Sequence, residues 1–311
     1  MPSLVWLITG ATSGIGAALV QHVIARGDRV IASGRKVQER LGHLKLEGLE
    51  FLELDITSST EEIQSQAAKA WDIFGHIDVL MNNAGMSAMK SAEEADEQFI
   101  NNMFQVNFFG QLRVTQAFLP LLRVQGHGCI AFTSSSVLWA PLPFMSHYAA
   151  SKAALSTYVE ALHKETRGLG IRCVAFECGG FPTNLGQPRD ASQAGFGSIG
   201  PAIDAYNPLF GSLMGKFATS PMVHMPGDVA KAAVAIADVV KREGLADGKP
   251  WAVRVALGSD GMGSAKQRSE EQLALLERWR NLSVSTDREV SHGPGANEEM
   301  FELTTVLEAY E

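Results

Sequence analysis

The sequence predicts one α/β domain built on a doubly wound parallel sheet of about seven strands. Three observations support this fold class. Apolar segments of strand length alternate with amphipathic segments of helix length along most of the chain. A glycine-rich turn follows the first apolar segment and precedes the first amphipathic one, as at the start of a βαβ unit. The 311 residues, 46% of them hydrophobic, suffice for a large buried core.

The strands are predicted from short apolar runs, most of them ending in a turn or a polar cluster. Leu4 to Ile8 is a continuous apolar run, as expected for a strand that is buried on both faces. Similar runs predict six further strands at Arg29 to Ser33, Phe51 to Leu54, Asp78 to Met81, Ile130 to Thr133, Ile171 to Phe176 and Trp251 to Leu257. Because right-handed crossovers join parallel strands, the carboxyl ends of these strands should meet at one edge of the sheet.

Amphipathic segments between the strands predict the helices. Capping residues and glycines mark several of their ends, such as the Ser58 to Glu62 capping boxes and Gly75. The predicted helices cover Ala17 to Ala25, the segment from the capping boxes to Phe74, Asp96 to Leu122, the segment around Tyr148 as far as Gly168, Asp228 to Glu243 and Ala265 to Arg280.

Two segments lie outside this alternation. Residues 177–225 are rich in Gly, Ala, Pro, Phe and Met, which predicts a lid over an apolar ligand, although packing against the sheet edge would explain about half of the apolar residues. The predicted organisation is a catalytic domain at 1–263, which includes the lid, and a C-terminal helical extension and tail at 264–311. Within the tail, Asn281 to Asn297 is expected to be loose and Glu298 to Tyr310 to form a short helix.

Composition excludes several classes of function. The net charge of −8 argues against a nucleic-acid partner or an anionic membrane surface. The three cysteines are odd in number and lack metal-type spacing, which favours free thiols in a reducing compartment. No targeting segment and no apolar run of membrane-spanning length is apparent, so we expect a soluble, cytoplasmic protein.

The glycine turn indicates a nucleotide site. Gly10, Gly14 and Gly16 stand between the first strand and the first helix, where backbone N–H groups at the helix N-terminus suit a pyrophosphate. After the second strand, Arg35 and Lys36 occupy the place where NAD-binding proteins carry an acidic residue. These cations could hold a 2′-phosphate, which favours NADP; as ordinary surface cations they would leave NAD open.

Tyr148 and Lys152 are candidates for acid–base chemistry. Their spacing places both on one face of a helix, where a cation lowers the pKa of a neighbouring phenol. The pair alone is weak support, because most Tyr/Lys pairs at this spacing are solvated neighbours.

The combined motifs resemble the short-chain dehydrogenase/reductase family in its compact, single-domain branch. The matching segments are Thr9-Gly10-x-x-x-Gly14-x-Gly16, Asp55, Asn82-Asn83-Ala84-Gly85, Asn107, Ser135 and Tyr148-x-x-x-Lys152. The resemblance implies a Rossmann-type fold and a homodimer or homotetramer. The C-terminal segments Leu257 to Asp260, Trp279 and Ser283 to Asp287 are similar to 17β-hydroxysteroid dehydrogenases.

The resemblance also implies residue roles. Tyr148 would exchange a proton with the substrate oxygen, Ser135 would hydrogen-bond that oxygen, and Lys152 would lower the pKa of the tyrosine and bind the nicotinamide ribose. Asn107 would hold a water of a proton relay, and Cys178, where the family commonly has proline, would pack or approach the nicotinamide. The residues expected to bind the cofactor are Gly10, Thr12, Ser13, Gly14, Ile15, Gly16, Arg35, Asp55, Ile56, Asn82, Ala84, Gly85, Tyr148, Lys152, Gly179 and Thr183.

The resulting hypothesis is an NADP(H)-dependent carbonyl reductase or alcohol dehydrogenase that acts on a fairly large, apolar ketone or alcohol. Ser13 stands where NADP-preferring members often have a basic residue, so the case for NADP depends on Arg35. Two alternatives remain open: an NAD-dependent alcohol dehydrogenase, and a non-redox binding or repurposed protein on the same fold.

Overall fold

A computed structural model of the chain describes residues 3–187, 200–219 and 225–287. These residues form a parallel seven-stranded sheet in the order β3-β2-β1-β4-β5-β6-β7. The strands are β1 (Val5–Thr9), β2 (Arg29–Gly34), β3 (Leu49–Glu53), β4 (Val79–Asn82), β5 (Gly128–Ser135), β6 (Ile171–Cys178) and β7 (Arg254–Leu257). The predicted fold class is therefore confirmed, and the strand order reverses between β1 and β4, where open α/β sheets bind ligands.

Helices flank the sheet. They are α1 (Gly14–Ala25), α2 (Val37–Leu41), α3 (Thr60–Phe74), α4 (Glu97–Phe104), α5 (Gly110–Gln125), α6 (Ser146–Thr166), α7 (Asn207–Thr219), α8 (Val229–Lys241) and α9 (Ser259–Val284). Helix α1 packs against α8, and α3 packs against α5. The short helix α2 was not predicted, since its five residues are too few to show a helical period.

The core follows from the apolar strands. All five residues of β1 are buried, as are the four of β4, because both faces of a parallel sheet are covered. The buried indole N–H of Trp6 donates a hydrogen bond to Asp28 Oδ2 at 3.1 Å. Lys241 Nζ donates to the other oxygen of Asp28 at 2.9 Å, and this buried ion pair ties α8 to the turn before β2.

The predicted helix from Asp96 to Leu122 is interrupted. A single π-helical stretch, Gln105–Phe109, separates α4 from α5, and the second helix continues to Gln125. The widened turn contains the buried Asn107, and π-bulges of this kind are frequent at functional sites. Hydrophobic periodicity could not show the interruption, because one extra residue barely shifts an apolar stripe.

The C-terminal part also differs from expectation. Helix α9 begins at Ser259, six residues before the predicted start, so it runs across the predicted boundary at 263/264. Asn281 to Val284, expected to be loose, belong to this helix, and Glu298 to Tyr310 lie outside the described residues. The lid contains a regular helix, α7, whereas the sequence indicated little regular structure there. None of the described helices is long and apolar enough to cross a membrane.

Candidate active site

The glycine turn closes tightly on the loop that follows β4. Gly10 has a φ of +63°, and a Cβ atom there would lie 2.8 Å from Ala84 Cα. A Cβ atom on Gly16 would lie 2.5 Å from Asn83 Nδ2 and 2.6 Å from the carbonyl oxygen of Gly10. Only glycine fits these positions, which leaves the backbone N–H groups at the start of α1 open to a ligand.

Two side chains hold this turn in place. Thr9 Oγ1 accepts hydrogen bonds from the backbone N–H groups of Asn83 and Ala84 at 2.9 and 3.0 Å. Asn83 Nδ2 donates to the carbonyl oxygen of Thr9 at 3.0 Å, and Asn83 Oδ1 accepts from Thr133 Oγ1. Asn83 thus joins the ends of β1, β4 and β5, a role that we did not predict although the residue was part of a recognised motif.

A cleft at the carboxyl edge of the sheet, called the inner cleft here, collects many of the predicted residues. Ten predicted site residues besides Ser135 line it: Gly10, Ser13, Gly14, Ile15, Ala84, Gly85, Tyr148, Lys152, Gly179 and Thr183. Further lining comes from Cys178, expected to pack or approach the nicotinamide, and from six residues without a predicted contact role: Asn83, Thr133, Ser134, Phe181, Asn184 and Leu185. The inner cleft therefore unites the turn after β1 with the ends of β5 and β6.

Tyr148 and Ser135 meet in the inner cleft. Tyr148 is buried near the start of α6, and Ser135 ends β5. Burial raises the pKa of Tyr148 to about 12, although the hydrogen bond from the Ser135 hydroxyl acts in the opposite direction. The phenol is thus protonated throughout the physiological range.

Lys152 lies one helical turn after Tyr148 and is almost completely buried. Its Nζ donates to the carbonyl oxygen of Thr133 at 2.7 Å, and burial lowers the pKa of the ammonium to about 8. We expected a lowered pKa for Tyr148, and in this structure that expectation is wrong. Burial is the largest influence on the phenol, and the lysine ammonium is engaged with a backbone carbonyl.

Asn107 lies behind the inner cleft, in the π-helical turn. Its Oδ1 accepts from the Met86 N–H and its Nδ2 donates to the Met86 carbonyl, both at 2.9 Å. Nδ2 also lies 3.2 Å from Ser151 Oγ in α6. A Cβ atom on Gly85 would lie 3.4 Å from Asn107 Oδ1 and 3.7 Å from Lys152 Nζ. The amide therefore fixes the loop after β4 beside the lysine.

A second cleft, called the outer cleft here, continues past Gly10 and Ala84 along the ends of β2 and β3. The predicted residues Thr12, Arg35, Asp55 and Ile56 line it. Lys36 and Arg40 add two more cations, and Arg40 Nη1 lies 3.4 Å from Thr12 Oγ1. We had not predicted a role for Arg40, because its position depends on the unpredicted helix α2. Three cations in one cleft suit a phosphate group.

Two predicted cofactor residues line neither cleft. Gly16 lies under the turn, where it permits close packing, and Asn82 is fully buried. Asn82 Nδ2 donates to Thr115 Oγ1 at 3.1 Å, which places Asn82 in the support of the site. Burial raises the pKa of Cys178 to about 12, so its thiol stays neutral and packs as a small apolar group.

The clefts fit a dinucleotide in three respects. The glycine turn forms a cradle that any side chain would fill, the helix N-terminus offers N–H donors, and the outer cleft offers cations at its far end. No group of three or more potential ligand side chains that could hold a metal ion occurs in the described part of the chain.

Comparison with known proteins shows which protein family the chain resembles. A family model described as short chain dehydrogenase matches residues 4–194. The oxidoreductase BOA17 of Botryotinia fuckeliana is 28% identical over 91% of this chain and 98% of its own length. An NADPH-dependent 1-acyldihydroxyacetone phosphate reductase of Schizosaccharomyces pombe is 34% identical, over 58% of this chain and 60% of the relative.

Solved structures that are similar to this chain come from the same family. A short-chain dehydrogenase from Streptomyces avermitilis is 32% identical, with a TM-score of 0.78 over 92% of this chain and 98% of that one. A short chain dehydrogenase from Burkholderia cenocepacia, solved in complex with NADP, is 25% identical, with a TM-score of 0.66 over 89% of this chain and 97% of that one.

Proposed function

The chain belongs to the short-chain dehydrogenase family, and from this premise we propose that it is an NADP(H)-dependent oxidoreductase that reduces the carbonyl group of a fairly large, apolar substrate. The observation that carries the proposal is the inner cleft, in which a buried, protonated Tyr148 and the Ser135 hydroxyl stand beside the glycine turn. Both side chains can donate to one oxygen atom, which would stabilise the negative charge that carbonyl reduction places there.

The choice of NADP(H) rests on the outer cleft and on relatives. Arg35, Lys36 and Arg40 line the cleft, and no acidic residue occurs between β2 and Glu39 to accept a ribose 2′-hydroxyl. The similar Burkholderia structure contains NADP, and the Schizosaccharomyces relative is named as NADPH-dependent. The turn from Gly10 to Gly16 would hold the pyrophosphate, Gly179 and Thr183 would hold the nicotinamide end, and the cofactor would supply the hydride for the substrate carbon.

Tyr148 acts as the general acid in this proposal. Reduction places negative charge on the substrate oxygen, and the phenol donates its proton there. A pKa of about 12 keeps the proton on Tyr148 until that charge develops. Ser135 holds the same oxygen by a second hydrogen bond, and the donors are already in place before reaction, which lowers the cost of reorganisation.

Lys152 and Asn107 support the tyrosine. The Lys152 ammonium lies in the same cleft, where it can donate a hydrogen bond to a ribose hydroxyl of the cofactor. Asn107 holds the Gly85–Met86 backbone beside Lys152, and its role in a water relay stays a prediction.

The apolar character of the substrate is inferred from the lid. Phe181 and Leu185 line the inner cleft, and Phe210 of α7 packs on Phe144, four residues before Tyr148. The apolar lining by Phe181 and Leu185 suits a hydrocarbon body better than a charged one.

The Tyr148→Phe variant tests the proposal. We expect ketone reduction to fall by about 10²–10⁴-fold, because the proton donor is lost, while NADPH still binds as judged by fluorescence titration. Tyr158→Phe, on the same helix but outside the inner cleft, is the matched control and should retain activity. Retained turnover in Tyr148→Phe would refute the assignment.

A further inference from the structure

The loop between β4 and α4, residues 83–96, joins the candidate active site to the lid. At its start, Gly85 faces Lys152 and Asn107. In its middle, the Lys90 N–H donates to the Phe144 carbonyl at 2.8 Å, and Met89 packs on Phe144 and Phe210. At its end, two carboxylates reach the lid segment that precedes α7.

Glu94 makes the larger share of the contacts with the lid. Its Oε1 accepts from the backbone N–H groups of Ala202 and Ile203 at 2.6 and 3.2 Å, residues more than 100 positions later in the chain. Its Oε2 accepts from the hydroxyl of the buried Ser91 at 2.6 Å, and the Glu94 N–H donates back to the same hydroxyl. One carboxylate is therefore oriented by its own loop and bonded to the lid.

Glu93 adds a second connection. Its Oε2 accepts from the Tyr206 hydroxyl at 2.7 Å. The Tyr206 ring stands edge-on to Phe144, with ring centres 6.3 Å apart, and Phe210 stands edge-on to Phe144 at 5.4 Å. The hydrogen bonds thus hold the segment whose aromatic rings close over the residue that leads into α6.

Phe144 itself is in an uncommon conformation. Its φ is +67°, a region that aromatic residues rarely adopt, and such a conformation persists only where surrounding contacts impose it. Those contacts come from both sides: the backbone of Lys90 and the rings of Tyr206 and Phe210. Release of the lid would therefore disturb the loop four residues before Tyr148.

We propose that Glu94, assisted by Glu93, is a positioning residue that anchors the lid and so holds the buried cluster of Phe144 and Phe210, which lies outside the lining of the inner cleft and acts as an apolar wall for the body of a bulky substrate. The inference rests on the proposed function for the meaning of the wall, but the anchor itself is a set of contacts within this chain. Neither carboxylate lines the inner cleft, so neither is expected to touch the reacting atoms.

Hydrogen exchange of the full chain tests the anchor without any turnover. In Glu94→Ala, the amides of Ala202 and Ile203 lose their acceptor, and we expect residues 200–219, which this contact anchors, to exchange about tenfold faster, as the loss of about 1.4 kcal/mol of local protection requires. Glu94→Gln keeps the Oε1 acceptor and should restore the wild-type rate. Glu97→Ala removes an exposed carboxylate three residues away and is the matched control.

Kinetics with two ketones test the consequence. For 1-tetralone, a bulky apolar ketone, we expect KM in Glu94→Ala to rise about tenfold with kcat within about twofold, whereas the parameters for 2-butanone stay within about twofold. Tyr206→Phe removes a single hydroxyl and should shift both readouts less, in the same direction, which keeps the proposal testable if Glu94→Ala fails to fold.

The outcomes separate the two proposals. Unchanged exchange at 200–219 in Glu94→Ala would overturn the anchor, even if the enzyme reduces ketones. Faster exchange with equal losses for both ketones would overturn the role of the wall. Faster exchange in a protein that reduces no ketone would leave the anchor standing and refute the proposed function.

Discussion

At the scale of single residues, burial controls the chemistry of the candidate site. The side chains of Tyr148 and Lys152 are both buried, so the pKa of each shifts towards the neutral form: that of the phenol rises to about 12 and that of the ammonium falls to about 8. The first shift suits the proposed role of Tyr148, since it preserves the proton that the phenol would donate. The second shift makes the lysine costly to the folded protein.

The cost of burying this charge predicts that replacing Lys152 by an apolar residue raises the free energy of unfolding. The folded chain releases the Lys152 proton near pH 8, whereas the unfolded chain holds it up to the usual value of 10.5. Below pH 8 the buried charge therefore lowers the free energy of unfolding by about 3 kcal/mol. Lys152→Met should be inactive yet more stable by about 2 kcal/mol at pH 7, after allowing for the unpaired Thr133 carbonyl.

The pH dependence of the free energy of unfolding tests whether the buried lysine destabilises the folded chain. Wild-type stability should rise between pH 8 and about 10.5, because the unfolded chain binds more protons in that range, so the advantage of Lys152→Met should shrink. Urea unfolding at pH 7 and pH 9.5 measures the difference in the free energy of unfolding between Lys152→Met and the wild type. Lys45→Met, at an exposed position, should show neither effect. A variant less stable than wild type at pH 7 would contradict the account.

At the scale of elements, the glycine turn and the short helix α2 shape the two clefts proposed to bind the cofactor. The turn requires glycine at positions 10 and 16 because its backbone approaches Ala84 and Asn83 more closely than any side chain allows. Helix α2 matters because it turns Arg40 back towards Thr12, beside Arg35. The turn was predictable from local spacing, whereas α2 was not.

Gly16→Ala tests the turn. The added methyl group would meet Asn83 Nδ2 and the Gly10 carbonyl, so we expect a loss of about 1–3 kcal/mol in the free energy of unfolding together with weaker NADPH binding. Gly263→Ala in α9 meets nothing within 4 Å and should be neutral or stabilising by up to about 1 kcal/mol. Urea unfolding of both variants checks this, and equal effects would argue against a steric cause.

Arg35→Ala and Arg40→Ala test the outer cleft. Loss of a charge-assisted contact to a 2′-phosphate should weaken NADPH binding about tenfold in each variant and leave NADH binding within about twofold. Fluorescence titration with both cofactors measures the difference. Arg123→Ala, an exposed change in α5, is the control. Equal weakening of NADPH and NADH would show that these cations do not read the 2′-phosphate.

At the scale of the whole molecule, the sheet, the flanking helices and the described residues of 177–225 pack together, and most of α9 is exposed. Asp260, at the start of α9, accepts from the Gly180 N–H at 2.6 Å and so belongs to the active-site edge. From Lys266 to Asp287 every residue is exposed, including Leu273, Leu276 and Trp279. The first turn of α9, which lies before the predicted boundary at 263/264, is thus the part of this helix that contacts the edge of the sheet.

A chain that ends at Ala265 tests this division. Since the described residues beyond it bury nothing against the domain, we expect the Tm to stay within about 2 °C of the full chain and NADPH affinity within about twofold. Asp260→Ala in the full chain should lower both the Tm and the NADPH affinity, because it removes the acceptor of the Gly180 N–H. A large loss of Tm on truncation would show that the extension supports the fold.

The sequence by itself determined the fold class, the strand order along the chain, the glycine turn and the candidate residues Tyr148, Lys152 and Ser135. These depend on local periodicity and on spacings within single elements, and the rules of parallel sheets then bring the strand ends to one edge. The fold class and family are confirmed, while the roles of the individual residues stay predictions.

Only the tertiary structure decided which distant groups meet. The contacts of Glu94 with Ala202 and of Arg40 with Thr12, and the direction in which the pKa of Tyr148 moves, all depend on packing between segments far apart in the chain. Desolvation and hydrogen bonding are set by the three-dimensional surroundings of a group, and spacing along the chain does not encode those surroundings.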